Sequence, residues 1–227
     1  MQRQAVHIHP HIALLVVLTS LISMAYVFLL VGVGFNFEKD GRLVFVSEAF
    51  EAYCGWSGVV LGSTGAVEAL VQLLASVHMG SSVVGSASTI VQFVTWNVII
   101  GVCDTGWALH YVALVFFFFA SCLFHWTASK STQYGGLLYQ QANALSIVVV
   151  IIFGCLFLAN GVGKFSDTLK KSFISVEVTI EFILLFLMLL QHCCLAYGIA
   201  RCTRMVVVFE DLVRVTAAMD YAPAASH

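Results

Sequence analysis

The chain has 227 residues, of which 60% are hydrophobic and only 10% are charged, and its formal net charge is −2. Soluble domains carry about 25% charged residues, so this composition excludes an ordinary soluble fold and indicates that lipid is the main solvent. Ten Lys and Arg against twelve Asp and Glu leave no basic surface, and we expect no nucleic-acid partner.

Apolar segments long enough to cross a bilayer, which takes about 20 residues, occur six times along the chain. They predict an all-α fold, a polytopic membrane protein built as a six-helix transmembrane bundle. The predicted membrane domain is 11–200, between a cytoplasmic N-terminal segment at 1–10 and a cytoplasmic amphipathic tail at 201–227. The predicted spans are about 11–35, 58–78, 83–103, 107–126, 142–162 and 173–200.

The longest connection between spans, residues 36–56, is polar and acidic. Its KDG sequence at Lys39 to Gly41 is a turn signal, and the alternation in RLVFV predicts a short strand or edge hairpin. Cys54 is the only cysteine in a long polar loop, so we expect it to make no intrachain disulfide. Cysteine and histidine spacings fit no zinc site, and we expect no metal and no cofactor.

The second span is rich in small residues, among them Gly58, Gly62 and Gly65, which let a neighbouring helix approach closely. Glu68 and Gln72 lie one helical turn apart in the same span. A carboxylate that faces lipid costs at least about 2.5 kcal/mol. Glu68 is therefore predicted to lie in the interior of the bundle.

The fourth span has a histidine near each end, His110 and His125, about 22 Å apart by the helical rise. A helix that carries two haems has such a spacing, but two bis-histidine haems need four histidines at matched depths. The remaining candidates, His78 and His192, lie near the ends of their spans. We therefore predict no haem.

The sixth span carries Glu177, Glu181, Gln191 and His192 within an apolar segment. Glu177 and Glu181 are one turn apart, and His192 returns to within roughly 20° of the same helix face. This polar stripe is predicted to face protein or a wet cavity because of the cost of exposing charge to lipid. The alternative is that Glu177 lies at the membrane interface and His192 caps the other end of the span.

The fourth and sixth spans also carry a family resemblance. HYVALVFFFFASCLFHW, from His110 to Trp126, resembles the corresponding span of the DRAM-like superfamily of six-span membrane proteins, and within it the post-GPI-attachment-to-proteins factor two branch. The matching positions are Ala120, Ser121, Leu123 and His125 in the fourth span and Glu181, Phe182 and His192 in the sixth. The first loop departs from this family, because it lacks the expected proline and paired cysteines.

The resemblance implies a protein of the Golgi or endoplasmic reticulum membrane that remodels the fatty acids of GPI anchors after their attachment to protein. Its implied partners are membrane lipid and, as substrates, GPI-anchored proteins. Acyl transfer needs a general base and a donor to the oxyanion. The candidate catalytic residues are Glu181, His192, His110 and His125, and the candidate binding residues are Glu68 and Glu177. Whether the protein catalyses the transfer itself or assists it stays open.

Two other functions fit the same residues. One is a non-enzymatic modulator of autophagy or membrane asymmetry within the DRAM-like superfamily. The other is a proton-coupled carrier that uses Glu68 and Glu181. Buried polar pairs can also hold helices together without any chemistry.

Overall fold

The computed structural model describes residues 10–79, 82–101, 107–131, 134–162 and 166–220. The predicted N-terminal segment up to residue 9, the connection at 102–106 and the tail from 221 onward lie outside these residues. The elements are, in chain order, α1 Pro10–Phe35, β1 Glu38–Lys39, β2 Arg42–Leu43, α2 Val46–Ala52, α3 Cys54–Met79, α4 Ser82–Gly101, α5 Trp107–Lys130, α6 Leu137–Val162 and α7 Asp167–Asp220.

In the described part of the chain, six of the seven helices are long and apolar enough to cross a membrane. The predicted all-α six-helix bundle is therefore confirmed. Large hydrophobic side chains such as Leu14, Leu29, Val59 and Phe116 expose more than half of their surface on the outside of the bundle. Such an apolar exterior is suited to contact with lipid rather than with water.

The six long helices form a closed ring in the order α1, α3, α4, α5, α6 and α7, and α7 packs back against α1. We call the end where α1 ends and α3 begins the hairpin end, and the end where α1 begins the opposite end. An apolar cluster that includes Val31, Leu61 and Phe117 fills the bundle towards the hairpin end. A second cluster, which includes Val16 and Leu195, fills it towards the opposite end.

Close approach of α3 and α4 depends on a glycine, as the sequence predicts. The indole Nε1 of Trp96 donates a hydrogen bond to the Leu61 carbonyl at 2.9 Å. A Cβ at Gly65 would lie 2.5 Å from the Trp96 ring, so a larger residue there would displace the indole. Gly58 and Gly62 have nothing within 4 Å of such a Cβ among the described residues, so the close contact is at Gly65 alone of the three.

The hairpin predicted in the first loop is confirmed. Asp40 and Gly41 have φ of +55° and +73°, as required by the tight two-residue turn that joins β1 to β2. The same loop contains the short helix α2, which the sequence pattern did not predict. Cys54, at the start of α3, has a free thiol.

The last helix is longer than its span. The predicted sixth span, 173–200, lies inside α7, which continues without a break to Asp220. The segment 201–220 contains no proline or glycine, so nothing in it interrupts the helical hydrogen bonds. The predicted tail helix is thus a continuation of the membrane helix.

Candidate functional site

A cavity of about 70 Å³ lies inside the ring, bounded by α1, α3, α4, α5 and α7. One part of its wall is apolar and includes Met24, Phe93, Trp96, Phe117 and Leu189. The other part is polar and consists of Ser20, Ser23, Glu68, Gln72, Thr89, Gln92 and His192. The cavity therefore suits an amphiphilic molecule, with one polar and one apolar part.

Three of the polar residues form a hydrogen-bonded group, which we call the Ser–His–Glu cluster: Ser20 of α1, Glu68 of α3 and His192 of α7. The Ser20 Oγ lies 2.6 Å from His192 Nδ1 and 3.0 Å from Glu68 Oε1. The same hydroxyl lies 2.7 Å from the carbonyl of Val16, the i−4 partner that any helical serine has nearby. Ser20 and His192 are both buried. Three helices thus bring an acid, a hydroxyl and an imidazole together.

Gln72 completes the surroundings of the imidazole, with its Nε2 3.2 Å from His192 Nε2. With Nδ1 protonated, Gln72 donates to His192, His192 donates to Ser20, and Ser20 donates to a Glu68 carboxylate. With Nε2 protonated and the Gln72 amide turned, every bond reverses and a protonated Glu68 donates to Ser20. The second arrangement holds one more proton than the first. The cluster can therefore store a proton without losing a hydrogen bond.

His125 of α5 lies beside the cluster. Its ring is buried, and its centroid is 5.3 Å from that of His192. Its Nδ1 lies 2.6 Å from the hydroxyl of Tyr139 of α6, whereas its Nε2 has no hydrogen-bond partner among the described residues. The structure thus brings together three of the residues that the sequence singled out, namely Glu68, His125 and His192.

Glu181 lies elsewhere, at the hairpin end. It is eleven residues from His192, which is about 16 Å along α7. Its Oε2 accepts a hydrogen bond at 3.1 Å from the backbone N–H of Val46, the first residue of α2. Glu177 is buried one turn earlier, and both Glu177 and Glu48 lie close enough to interact with Glu181 electrostatically. Glu181 therefore satisfies one of the N–H groups that a helix leaves unpaired at its start.

Glu48 holds the same region together. Its carboxylate accepts two hydrogen bonds from the Arg42 guanidinium, at 2.8 Å and 2.5 Å, and a third at 3.1 Å from the Phe45 backbone N–H. Such bidentate pairs are stronger than ordinary hydrogen bonds. Glu48 and Glu181 at the hairpin end are thus engaged by backbone N–H groups and, for Glu48, by an arginine.

His110, the other histidine of α5, is also at the hairpin end. It is buried and forms a hydrogen bond with the backbone of Ile99, near the end of α4. Fifteen residues of helix, about 22 Å, separate it from His125. The structure does not bring it to the cavity.

The sequence reasoning missed Ser20, Gln92 and Tyr139. A serine in an apolar span carries little signal, because its hydroxyl can bond the carbonyl four residues earlier. Gln92 is one polar residue in the third predicted span, 83–103, and Tyr139 lies before the predicted start of the fifth span, at residue 142. Only their positions across the ring reveal their role.

The fold and the cluster together define a polytopic α-helical membrane protein with a buried polar site at its centre. No family model, curated protein or solved structure matches the chain. Within the described residues, no group of three or more His, Cys, Asp or Glu side chains could hold a metal ion. The polar groups that line the cavity are hydroxyl, imidazole, carboxyl and amide groups.

Proposed function

We propose that this chain is a membrane protein of GPI-anchor lipid remodelling, and that its central cavity receives the ester end of a lipid acyl chain. One line of support is the resemblance of His110 to Trp126 and of the sixth span to the factor two branch. The other is the amphiphilic wall of the cavity. GPI-anchored proteins are the proposed substrates, and the Golgi or endoplasmic reticulum membrane is the proposed location.

The observation that carries the proposal is the 2.6 Å distance between Ser20 Oγ and His192 Nδ1 inside this cavity. In the proposed reaction the Ser20 oxygen attacks the ester carbonyl while His192 Nδ1 accepts the hydroxyl proton. His192 returns that proton to the departing lipid alcohol, which leaves the acyl group on Ser20. A second alcohol then takes the acyl group by the reverse steps.

The amide groups have a defined part in this scheme. Gln72 orients the imidazole through its contact with His192 Nε2. Gln92 lines the same cavity, and an amide N–H aimed at the ester carbonyl stabilises the negative charge that develops there. Glu68 holds the Ser20 hydroxyl in place at 3.0 Å. Each helix that bounds the polar part of the cavity thus contributes at least one function, and α3 contributes two.

The test is mass spectrometry of the lipid chains of GPI anchors from cells with and without the gene, and from cells rescued with variants. We expect deletion to change the fatty-acid composition, and Ser20→Ala to fail to restore it at normal protein level. Ser23→Ala is the matched control, because Ser23 lines the same cavity but bonds Thr64 instead, at 2.6 Å. Unchanged GPI chains on deletion would end the functional proposal, whereas full rescue by Ser20→Ala would end the assignment of the nucleophile.

A proton-coupled carrier is the second candidate, favoured by the ability of the Ser–His–Glu cluster to take up one proton by reversing its hydrogen bonds. Of the two carboxylates first considered for such a carrier, only Glu68 lines the cavity. Glu181 is bound to the start of α2 instead. Substrate-driven pH change in proteoliposomes, lost in Glu68→Gln, would select this function over lipid remodelling.

A further inference from the structure

Polar groups continue from the central cavity towards the opposite end of the bundle. The contacts run from Glu68 through Ser20 to His192, then to the ring of His125, and finally to the hydroxyl of Tyr139. Each of the five residues comes from a different helix, α3, α1, α7, α5 and α6. All but Glu68, which is partly buried, expose less than a tenth of their surface. A series of proton-exchanging groups thus crosses the ring.

Tyr139 also lines a second hollow, of about 270 Å³, at the opposite end. This hollow lies between the 134–136 turn, the start of α6 and the face of α7 that carries Cys194 and Arg201. Arg201 is exposed and directly follows the predicted sixth span, 173–200, and basic residues that flank a membrane span lie at the boundary between lipid and water. The polar series therefore joins a cavity in the centre of the bundle to a hollow close to one membrane surface.

We propose that Glu68, Ser20, His192, His125 and Tyr139 form a proton path between the central cavity and the opposite end. This path goes beyond the proposed function, because the acyl-transfer steps keep their proton within the cluster and its substrates, whereas the path exchanges protons with the opposite end. The Nε2 of His125, which is buried and has no hydrogen-bond partner among the described residues, supports this proposal. A purely structural network would leave few such groups unsatisfied, whereas a path needs an open acceptor next to a donor.

The steps along the path transfer protons only, so they need no oxidant or reductant. A proton leaves Glu68 for the Ser20 oxygen as the Ser20 proton moves to His192 Nδ1, which leaves a carboxylate and an imidazolium. His192 then passes a proton to the open Nε2 of His125, and a water or a small ring rotation spans this gap. His125 releases its Nδ1 proton to the Tyr139 oxygen, and the Tyr139 proton enters the hollow.

The residues around the path connect the central cavity with the opposite end of the bundle only. Towards the hairpin end the apolar cluster around Leu61 and Phe117 separates the cavity from Glu181. Groups that interact directly with members of the path are Thr19 beside Glu68, Gln72 beside His192 and Cys194 beside Tyr139. None of these three provides a charge that would trap the proton. We therefore expect Glu68 to exchange protons with the opposite end only.

The experiment follows the carbonyl band of protonated Glu68 by time-resolved infrared spectroscopy of the full chain in lipid nanodiscs after a pH jump, with Glu68→Gln to assign the band. We expect Tyr139→Phe, which removes one oxygen and keeps the ring, to slow protonation of Glu68 by about tenfold or more. Tyr134→Phe is the matched control, because the Tyr134 hydroxyl at the same end bonds His78 at 2.6 Å, outside the path.

A slowing by Tyr139→Phe of less than about threefold would overturn the path, and so would an equal slowing by Tyr134→Phe. Retention of the thermal unfolding midpoint shows that a slow Tyr139→Phe variant is folded. In sealed proteoliposomes, pH jumps on either side of the membrane then test the direction, and equal rates from both sides would overturn one-sided access. These readouts follow protons rather than lipid products, so they are independent of the GPI-remodelling test.

Discussion

The hairpin end and the central cavity both contain carboxylates in apolar helices, but the groups that surround those carboxylates differ. Glu181 accepts a hydrogen bond from the backbone N–H of Val46, and Glu48 accepts from Arg42 and a further backbone N–H. Glu68 instead contacts a serine hydroxyl that contacts an imidazole. The first arrangement fixes a structure, whereas the second can gain or lose a proton. The partners of a buried carboxylate, rather than its burial, therefore distinguish the two regions.

The hairpin end is a structural unit attached to α7 at three levels. Lys171 Nζ donates to the Asp40 carbonyl at 2.6 Å, and the Leu43 N–H lies 3.4 Å from the Ser175 hydroxyl. Glu181 forms the third link, to Val46. This comparison predicts that substitutions at the hairpin end reduce stability, and that substitutions in the cluster reduce activity.

The largest effect is expected from His192→Gln. The amide keeps a hydrogen bond to Ser20 but cannot accept its proton, so remodelling activity should fall by about 10²- to 10⁴-fold. The protein should accumulate normally. The measurement is GPI lipid composition in rescued cells, normalised to protein level. Activity within a few-fold of the wild type would show that the Ser–His–Glu cluster does not take part in the remodelling reaction.

Arg42→Ala is expected to have the largest effect on stability. It leaves the largely buried Glu48 carboxylate without its guanidinium partner, which costs about 3 kcal/mol. The midpoint of thermal unfolding in detergent should fall, and specific activity of the remaining folded protein should not. Arg42→Lys is the control, because it keeps the positive charge beside Glu48 but removes the bidentate hydrogen bonds. An unfolding midpoint equal to that of the wild type would show that the hairpin end does not stabilise the bundle.

Glu181→Leu should cost roughly 1–3 kcal/mol, because it leaves the Val46 N–H without its acceptor in a buried position. Glu181→Gln keeps an acceptor oxygen and should cost less. Denaturant titration of the two variants in the same detergent gives the difference. If Gln destabilises as much as Leu, the negative charge rather than the hydrogen bond matters at this position.

The smallest effect is expected from Trp96→Phe. The change removes the hydrogen bond from the indole to the Leu61 carbonyl, with a net cost of about 1 kcal/mol, and keeps the ring against Phe117. Because Trp96 belongs to the apolar wall of the cavity, we expect a modest change in stability and little change in proton exchange at Glu68. Infrared titration of Glu68 checks the second part, and a large shift would show that the apolar wall controls the cluster.

The sequence was sufficient to predict the bundle and the interior position of Glu68, because apolar runs and the cost of a charge in lipid depend on local composition. It also placed Glu181 and His192 on one face of α7. It could not separate their roles, because residues on one face can lie about 16 Å apart along the axis. The proximity of His125 and His192 depends on how α5 meets α7 across the ring, and no local pattern encodes that distance. Ser20 could not be predicted as a site residue because a hydroxyl is tolerated in any apolar helix.

The most direct test of the account compares His192→Gln with Glu181→Gln in the GPI-remodelling rescue assay, with both variants normalised to protein level. Each substitution keeps a hydrogen-bonding side chain and removes the group that can exchange a proton. The account predicts that Glu181→Gln restores remodelling almost fully, and that His192→Gln fails although the protein accumulates. Failure of Glu181→Gln together with full rescue by His192→Gln would contradict it and would move the chemistry to the hairpin end.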